Sequence, residues 1–302
     1  MGGLSVGEAI GEGFRLIAAR PGAVLAWGAV RAVFIVLLWL LMAPLYLARF
    51  TEALARMRGQ ASPQPDFPAL MAMQSANLLT TLLGLAVGAV VTCAVFRAVL
   101  APQDNRFAYL RLGASELFFF LLIFGFSVAL VIGFIVCAVP IAILVAILAV
   151  AHAKAAAFLL MLALFLVLVG LMIFVFCRLS VAGPMMVADG RFHLMDAWAL
   201  TRGKAGDLFL IGFGLFLVVV LIEVVLGAIA LAIGLAVVGA KFQTLAALFA
   251  RPPSEIISGL APVLAAGVVI SIPVTGCLQA IIAAPWARAW RDLAGAPPAA
   301  AV

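Results

Sequence analysis

Three arginines share one position in this sequence, because each closes a long apolar run. They are Arg97, Arg178 and Arg288. A guanidinium is planar, and its five N–H donors match the oxygens of a phosphate group. As a ring at one face of a membrane, the three side chains are candidates to bind an anionic lipid headgroup or a phosphate. The alternative is that each arginine anchors its helix at the positively charged side of the membrane.

Glu223 is an acidic residue within an apolar run, about 24 Å along a helix from Asp207 at 1.5 Å per residue. A carboxyl group at this depth in a membrane usually faces a bundle interior or a wet cavity. A proton-coupled carrier could use Glu223 as an intramembrane acid that binds and releases a proton. It could instead be a neutral carboxyl hydrogen-bonded between helices, or lie close enough to the outer surface to be solvated.

Arg31 is an intramembrane cation by the same reasoning, about 12 Å into the first apolar run, measured from its start at Gly22 to Ala23. Its long side chain could extend back to the headgroups at the nearer surface. Pairing with Glu223 is the other possibility, although the two charges are offset by about 12 Å along the membrane normal.

Catalytic and cofactor-binding motifs are not recognisable in the sequence. The string Gly3-Leu4-Ser5-Val6-Gly7 has the spacing of a nucleophile elbow, but Ser5 is better explained as a helix cap. His152 and His193 are far apart, and the four cysteines lie in apolar runs without a C-x-x-C pair, which favours packing roles. We therefore expect no enzyme, no cofactor and no metal site.

The composition is that of an integral membrane protein. Of the 302 residues, 68% are hydrophobic and 10% are charged, whereas a soluble domain has about 45–50% and about 25%. Such an excess of apolar side chains needs the bilayer as solvent, and a membrane span takes roughly 20 apolar residues. Six segments qualify, at about 22–48, 75–100, 116–139, 155–177, 208–232 and 257–284.

Positive charge predicts the orientation of the spans. Eleven of the 18 Lys and Arg residues fall on the side of the N-terminus and six on the other. Both termini are therefore predicted to be cytoplasmic, and the Ala, Gly and Arg usage suggests a bacterial inner membrane. The net charge of +6 is spread around the membrane, which favours contact with anionic lipids and gives no support for nucleic-acid binding. A protein partner is not indicated by any motif.

A threefold repeat organises the chain into units at about 4–97, 98–178 and 179–288, followed by a short tail at 289–302. Each unit has a short amphipathic stretch and then two apolar runs, and Ser5 with Glu8 forms a capping box at the first stretch. The string Ala114-Ser115-Glu116 matches Ala205-Gly206-Asp207. We predict a single integral membrane domain, an all-α bundle of six spans in three helical hairpins, each preceded by a cytoplasmic interfacial helix.

Two apolar runs are too long for one span, and a small-residue pair predicts a helix contact. Pro140 predicts a kink or break in the first long run. Residues 140–150 and 233–252 could form re-entrant or interfacial segments, and the sequence leaves this open. Gly84 and Gly88 predict close helix packing.

The linker after Arg178 resembles a known membrane family over residues 178–204. It reads Arg178-Leu-Ser-Val-Ala-Gly-Pro-Met-Met-Val-Ala-Asp-Gly190, followed by Ala197-Trp198-Ala-Leu-Thr-Arg202-Gly-Lys204. It is similar to the six-helix membrane domain attached to some glycerophosphodiester phosphodiesterases and found in many stand-alone bacterial membrane proteins. The resemblance implies the six-helix fold. It does not imply phosphodiesterase activity, because the sequence has no soluble catalytic region and no acidic and histidine cluster.

These observations favour a non-enzymatic protein that handles or transports a lipid or another amphipathic molecule. Its candidate residues are Glu223 as acid and the three arginines as headgroup ligands. The alternative is an anchor or accessory scaffold for an envelope enzyme or complex.

Overall fold

A chain that crosses a membrane can adopt few backbone structures, because each backbone N–H and C=O must be hydrogen-bonded within the protein. The computed structural model describes residues 4–57, 67–150, 154–249 and 253–295. Within its helices, only the backbone is described at residues 47–57, 69, 148–149, 154, 236–249, 253–260 and 264. All regular structure in these ranges is helical. The predicted all-α polytopic helix bundle is confirmed.

Long and short helices alternate along the chain. The long helices are α2, α3, α4, α5, α8 and α9, and a short 3-10 turn lies between α3 and α4 at Arg106–Tyr109. The helices are α1 (Val6–Ala19), α2 (Pro21–Met57), α3 (Phe67–Leu100), α4 (Ala114–Val150), α5 (Lys154–Leu179), α6 (Ala182–Asp189), α7 (Leu194–Leu200), α8 (Ala205–Phe249) and α9 (Pro253–Ala294).

Six helical segments are long and apolar enough to cross a membrane, so the protein is a multi-pass membrane protein. This confirms the prediction of six spans. The candidate spans are Pro21–Tyr46, Leu70–Leu100, Arg106–Ile147, Ala155–Asp189, Ala205–Leu235 and Ala261–Ala294.

A short helical element comes before the long helix of each odd-numbered span, as the repeat pattern predicts. These elements are α1 before α2, the 3-10 turn before α4, and α7 before α8. At the start of α1 the backbone N–H of Glu8 donates to the Ser5 hydroxyl oxygen at 3.4 Å. The single domain, the three repeats and the interfacial position of the short elements stay predictions.

The two longest apolar runs continue as helix beyond the expected boundaries. Helix α4 passes through Pro140 and ends at Val150, and α8 continues to Phe249. Proline removes one N–H donor, which membrane helices tolerate where nearby groups satisfy the freed carbonyl. The predicted turn at 151–154 and the end of the 233–252 segment fall largely outside the described residues.

The helices divide into two compact units. The first comprises Met1–Leu16, Ala89–Gly214 and Ala283–Val302, and the second comprises Ile17–Gly88 and Leu215–Ile282. In the first unit α4 packs against α5 and α6, while α7 packs against α5 and α6. This unit contains the C-terminal ends of α3, α5 and α9, so Arg97, Arg178 and Arg288 all lie in it. It also contains the starts of α4 and α8.

In the second unit α2 and α9 cross with their backbones almost in contact. A Cβ added to Gly28 would lie within 3.0 Å of the Ile272 carbonyl oxygen, and one added to Gly276 would lie equally close to the Val24 carbonyl oxygen. A Cβ added to Gly84 meets none of the described atoms within 4 Å, and the same is true of Gly88. Among the described glycines, the close approach of one backbone to another therefore lies between α2 and α9 and not at the pair predicted in α3.

Gly28→Ala is expected to destabilise the protein by about 2–3 kcal/mol or more, because the new methyl group collides with backbone that cannot rotate away. Gly84→Ala is the matched control, and it should be neutral or stabilising by up to about 1 kcal/mol because alanine favours helix. The free energy of unfolding, from titration with SDS in mixed micelles, measures both. Equal effects of the two substitutions would contradict the crossing.

Candidate anion-binding site

Arg97, at the end of α3, is neutralised within the protein. One of its terminal nitrogens, Nη2, forms an ion pair with Oε1 of Glu116, and Nη1 donates to the Tyr109 carbonyl oxygen at 3.2 Å. Glu116 is only 4% exposed. It lies in the first turn of α4, where the helix dipole also favours a carboxylate. Arg97 therefore joins two helix ends and is already occupied by an acid.

The loop before α4 is bent to make this contact. Phe107, Ala108 and Tyr109 have φ values of 50°, 54° and 65°, a region that costs a residue with a side chain about 1–2 kcal/mol. The Tyr109 ring is buried, and its hydroxyl donates to the Pro102 carbonyl oxygen at 2.9 Å. Burial of the ring and its hydrogen bonds offset the strain and hold the Tyr109 carbonyl against Arg97.

Arg288, at the end of α9, is surrounded by acids. Its Nη2 lies 2.8 Å from Oε2 of Glu8, and its Nε lies 2.9 Å from Oδ1 of Asp292. Glu12 is 3.9 Å from Nη1. These contacts fasten α1 to α9. An external anion at Arg288 would have to compete with three carboxylates for one guanidinium.

Arg178, at the end of α5, is the exception among the three arginines. It is 6% exposed, and its guanidinium carbon lies 4.6 Å from the centre of the Trp198 ring. Among the described residues it has no ion pair with a carboxylate, and its buried Nε–H has no acceptor. The structure thus gives this cation an aromatic face in place of an acid.

Helix α7 holds the tryptophan in place. The buried Thr201 hydroxyl lies 3.0 Å from the Arg178 carbonyl oxygen and 2.9 Å from the Ala197 carbonyl oxygen, so its single hydrogen bonds to one or the other. Trp198 meets Phe174 edge to face, with ring centres 6.0 Å apart. Together these contacts fix α7 on the end of α5 and the indole against the guanidinium.

The known contacts of Arg178 do not fully offset the free-energy cost of burying its charge. Taking a charge out of water costs several kcal/mol even after relaxation. A tryptophan face returns about 0.5–2 kcal/mol, and a helix C-terminus about 0.3–1 kcal/mol. An oxyanion would supply the rest, because it accepts charge-assisted hydrogen bonds from the Nε and Nη donors of one guanidinium.

The repeat predicted from the sequence indicates where an acid would be expected. Glu116 pairs with the arginine at the end of the preceding repeat, and the equivalent of Glu116 in the third repeat is Asp207. Asp207 lies 3.8 Å from Lys204 and makes no ion pair with Arg178. The carboxylate at the position equivalent to Glu116 therefore lies near Lys204 and does not pair with Arg178.

Arg31 and Glu223 are not joined by any ion pair of the described residues. Nη1 of Arg31 instead donates to Oε1 of Gln279, a residue that is 7% exposed and 248 positions away. Glu223 lies on an exposed face of α8. Sequence reasoning missed Gln279, although a glutamine within an apolar run was a visible signal. The sequence indicates Trp198 only as part of the motif at 178–204.

In the described ranges, no group of three or more His, Cys, Asp or Glu side chains lies close enough together to hold a metal ion. His193 contacts Asp196 at 2.7 Å and Asp189 at 3.5 Å, all on the surface between α6 and α7. These three residues form a local hydrogen-bonding cluster near the helix ends.

Removing one partner of the Arg97–Glu116 pair should destabilise the protein more than removing both. Glu116→Leu leaves a nearly buried guanidinium without its acid and should cost about 3–5 kcal/mol, as should Arg97→Met. The double variant should cost well below the sum, since it leaves no orphan charge. SDS titration of the four proteins measures this coupling. Additive costs would show that the pair contributes no coupling.

No family model, no curated protein and no solved structure matches this chain. The resemblance of residues 178–204 to the membrane domain of glycerophosphodiester phosphodiesterases stays a prediction from the sequence.

Proposed function

We propose that this protein binds an anionic lipid headgroup at Arg178 and Trp198, as part of non-enzymatic handling or transport of a lipid or another amphipathic molecule. The observation that carries the proposal is the nearly buried Arg178, which has an aromatic face and no acidic partner in the described part of the chain. A phosphate group fits this need, because it is anionic and accepts hydrogen bonds from a guanidinium fork.

The position of Arg178 supports a lipid as the source of the phosphate. The residue lies within the candidate span Ala155–Asp189, in the last turn of α5. On the orientation proposed from the charge distribution, with both termini in the cytoplasm of a bacterium, this end faces the cytoplasmic leaflet of the inner membrane. Anionic headgroups lie at this level, and their attraction for basic residues is about 1 kcal/mol per charge.

The alternative is an anchor or accessory scaffold that positions a partner in the envelope. The contacts of Arg97 and Arg288 favour it, because both guanidiniums are used to fasten helix ends inside the protein. Under this alternative Arg178 would also be structural, with Trp198 and the C-terminus of α5 compensating part of the cost of its burial. The two functions therefore differ at one residue.

Arg178→Gln should abolish the enrichment of an anionic lipid class, whereas Arg288→Gln should leave it unchanged. Both variants remove one guanidinium from the end of a span, but only Arg178 lacks an acidic partner. The measurement is lipid mass spectrometry of protein purified in native nanodiscs, compared with bulk membrane. We expect one lipid class enriched to about one molecule per chain in the unmodified protein and in Arg288→Gln.

Arg178→Lys separates recognition from folding. Lysine keeps the charge but loses the planar fork, so enrichment should fall while the thermal midpoint changes little. A lipid annulus equal to bulk membrane in the unmodified protein would overturn the proposal and favour the scaffold. Equal enrichment in Arg178→Gln would also overturn it.

A further inference from the structure

Arg31 and Gln279 form a second polar contact, separate from the arginine at the end of α5. Both belong to the second unit, where Nη1 of Arg31 donates to Oε1 of the nearly buried Gln279. Within the described part of the chain this amide is the one hydrogen-bonding partner of Arg31, and no acid pairs with it. A glutamine amide is neutral, so the positive charge of Arg31 is left without compensation.

The contact lies far from the ends of both candidate spans. Arg31 is about 15 Å from Pro21 and about 22 Å from Tyr46 at 1.5 Å per residue. Gln279 is about 27 Å from Ala261 and about 22 Å from Ala294. An arginine that reached back to the headgroups would not donate to an amide at this depth.

The crossing of α2 and α9 holds the two side chains together. Gly28 and Gly276 bring the backbones into near contact, and Arg31 and Gln279 each follow the glycine of their own helix by three residues. Positions three apart lie on the same helix face. The guanidinium is thus fixed beside the amide by a rigid crossing.

A purely structural link between helices does not need this charge. A neutral side chain would make the same hydrogen bond to Gln279 without the cost of a cation, which is about 2.5–3.5 kcal/mol at a span centre. Intramembrane charges are normally paired or line a pathway for a charged substrate. Because no acid among the described residues pairs with Arg31, the pathway is the better explanation.

We infer that Arg31 and Gln279 form an intramembrane site for a phosphate-type oxyanion, at which Arg31 supplies the charge and Gln279 positions its guanidinium. The inference rests on the proposed function only for the source of the oxyanion, a lipid headgroup. With a binding site in the middle of the spans, the protein is a carrier that moves the headgroup across the membrane. Free phosphate has the same chemistry and is the other source.

Gln279→Glu is the sharpest test, because it places a carboxylate where Oε1 now accepts from Arg31. The new acid keeps the helix contact and neutralises the guanidinium from within, so the thermal midpoint should not fall. The oxyanion then loses its site. We expect headgroup movement to drop about tenfold or more, whereas a structural link would tolerate or benefit from the change.

The measurement uses the full chain in lipid vesicles with two probes. Movement of a fluorescently labelled anionic phospholipid between leaflets is followed by dithionite quenching, and uptake of labelled inorganic phosphate is followed in parallel. Loss of lipid movement in Gln279→Glu assigns the site to headgroups, and loss of phosphate uptake assigns it to the free ion. Asn77→Asp is the matched control, since it also turns an amide into an acid but contacts Tyr46; it should leave both rates unchanged.

Arg31→Lys and Arg31→Met complete the series. Lysine should retain part of the rate, and methionine should abolish it. Unmodified protein that moves neither probe, or Gln279→Glu that moves both at the original rate, would overturn the inference. The headgroup proposal is judged separately by lipid enrichment at Arg178. Enrichment without Arg31-dependent movement removes only the intramembrane site, and Arg31-dependent phosphate uptake without enrichment removes only the headgroup proposal.

Discussion

The cost of leaving a charge without a partner among apolar helices governs how this molecule is arranged. Backbone groups are satisfied inside each helix, so they place little constraint on how one helix meets another. Charged side chains do place such a constraint, because burial costs several kcal/mol that only a partner can return. The described arginines near or inside the spans accordingly fix where helix ends meet. Arg97 joins α3 to α4, and Arg288 joins α1 to α9.

Partner chemistry separates these arginines into two kinds. Arg97 and Arg288 are both paired with carboxylates of the same chain. Arg178 has an indole and Arg31 has an amide, and neither partner carries a negative charge. A neutral partner orients a guanidinium without cancelling its charge. Under our proposals the second kind binds an anion, whereas the first kind joins elements within the chain.

The sequence predicts the helices well and their partners poorly, for one physical reason. Whether a segment spans a membrane depends on its own apolar length, so six spans follow from local composition. Which side chain meets Arg31 depends on how helices far apart in the chain cross, and Gln279 is 248 positions away. The strained turn at Phe107–Tyr109 was equally hidden, because none of its residues is the glycine that left-handed backbone favours. Pro140, where the sequence predicts a kink or break, lies inside α4.

The predicted threefold pattern explains why Arg178 differs from the other two arginines at the helix ends. In the proposed duplication each arginine has the same place, and an acid from another repeat completes the pair: Glu116 for Arg97, and Glu8 for Arg288. At Arg178 the equivalent acid is Asp207, which is one methylene shorter than glutamate and has Lys204 three residues earlier, just before α8. The shorter acid stays with the nearer cation, and α7 places Trp198 beside the arginine that is left over. A symmetric ring would have three equivalent cations, whereas among the described residues this arrangement leaves Arg178 as the one of the three without a carboxylate partner.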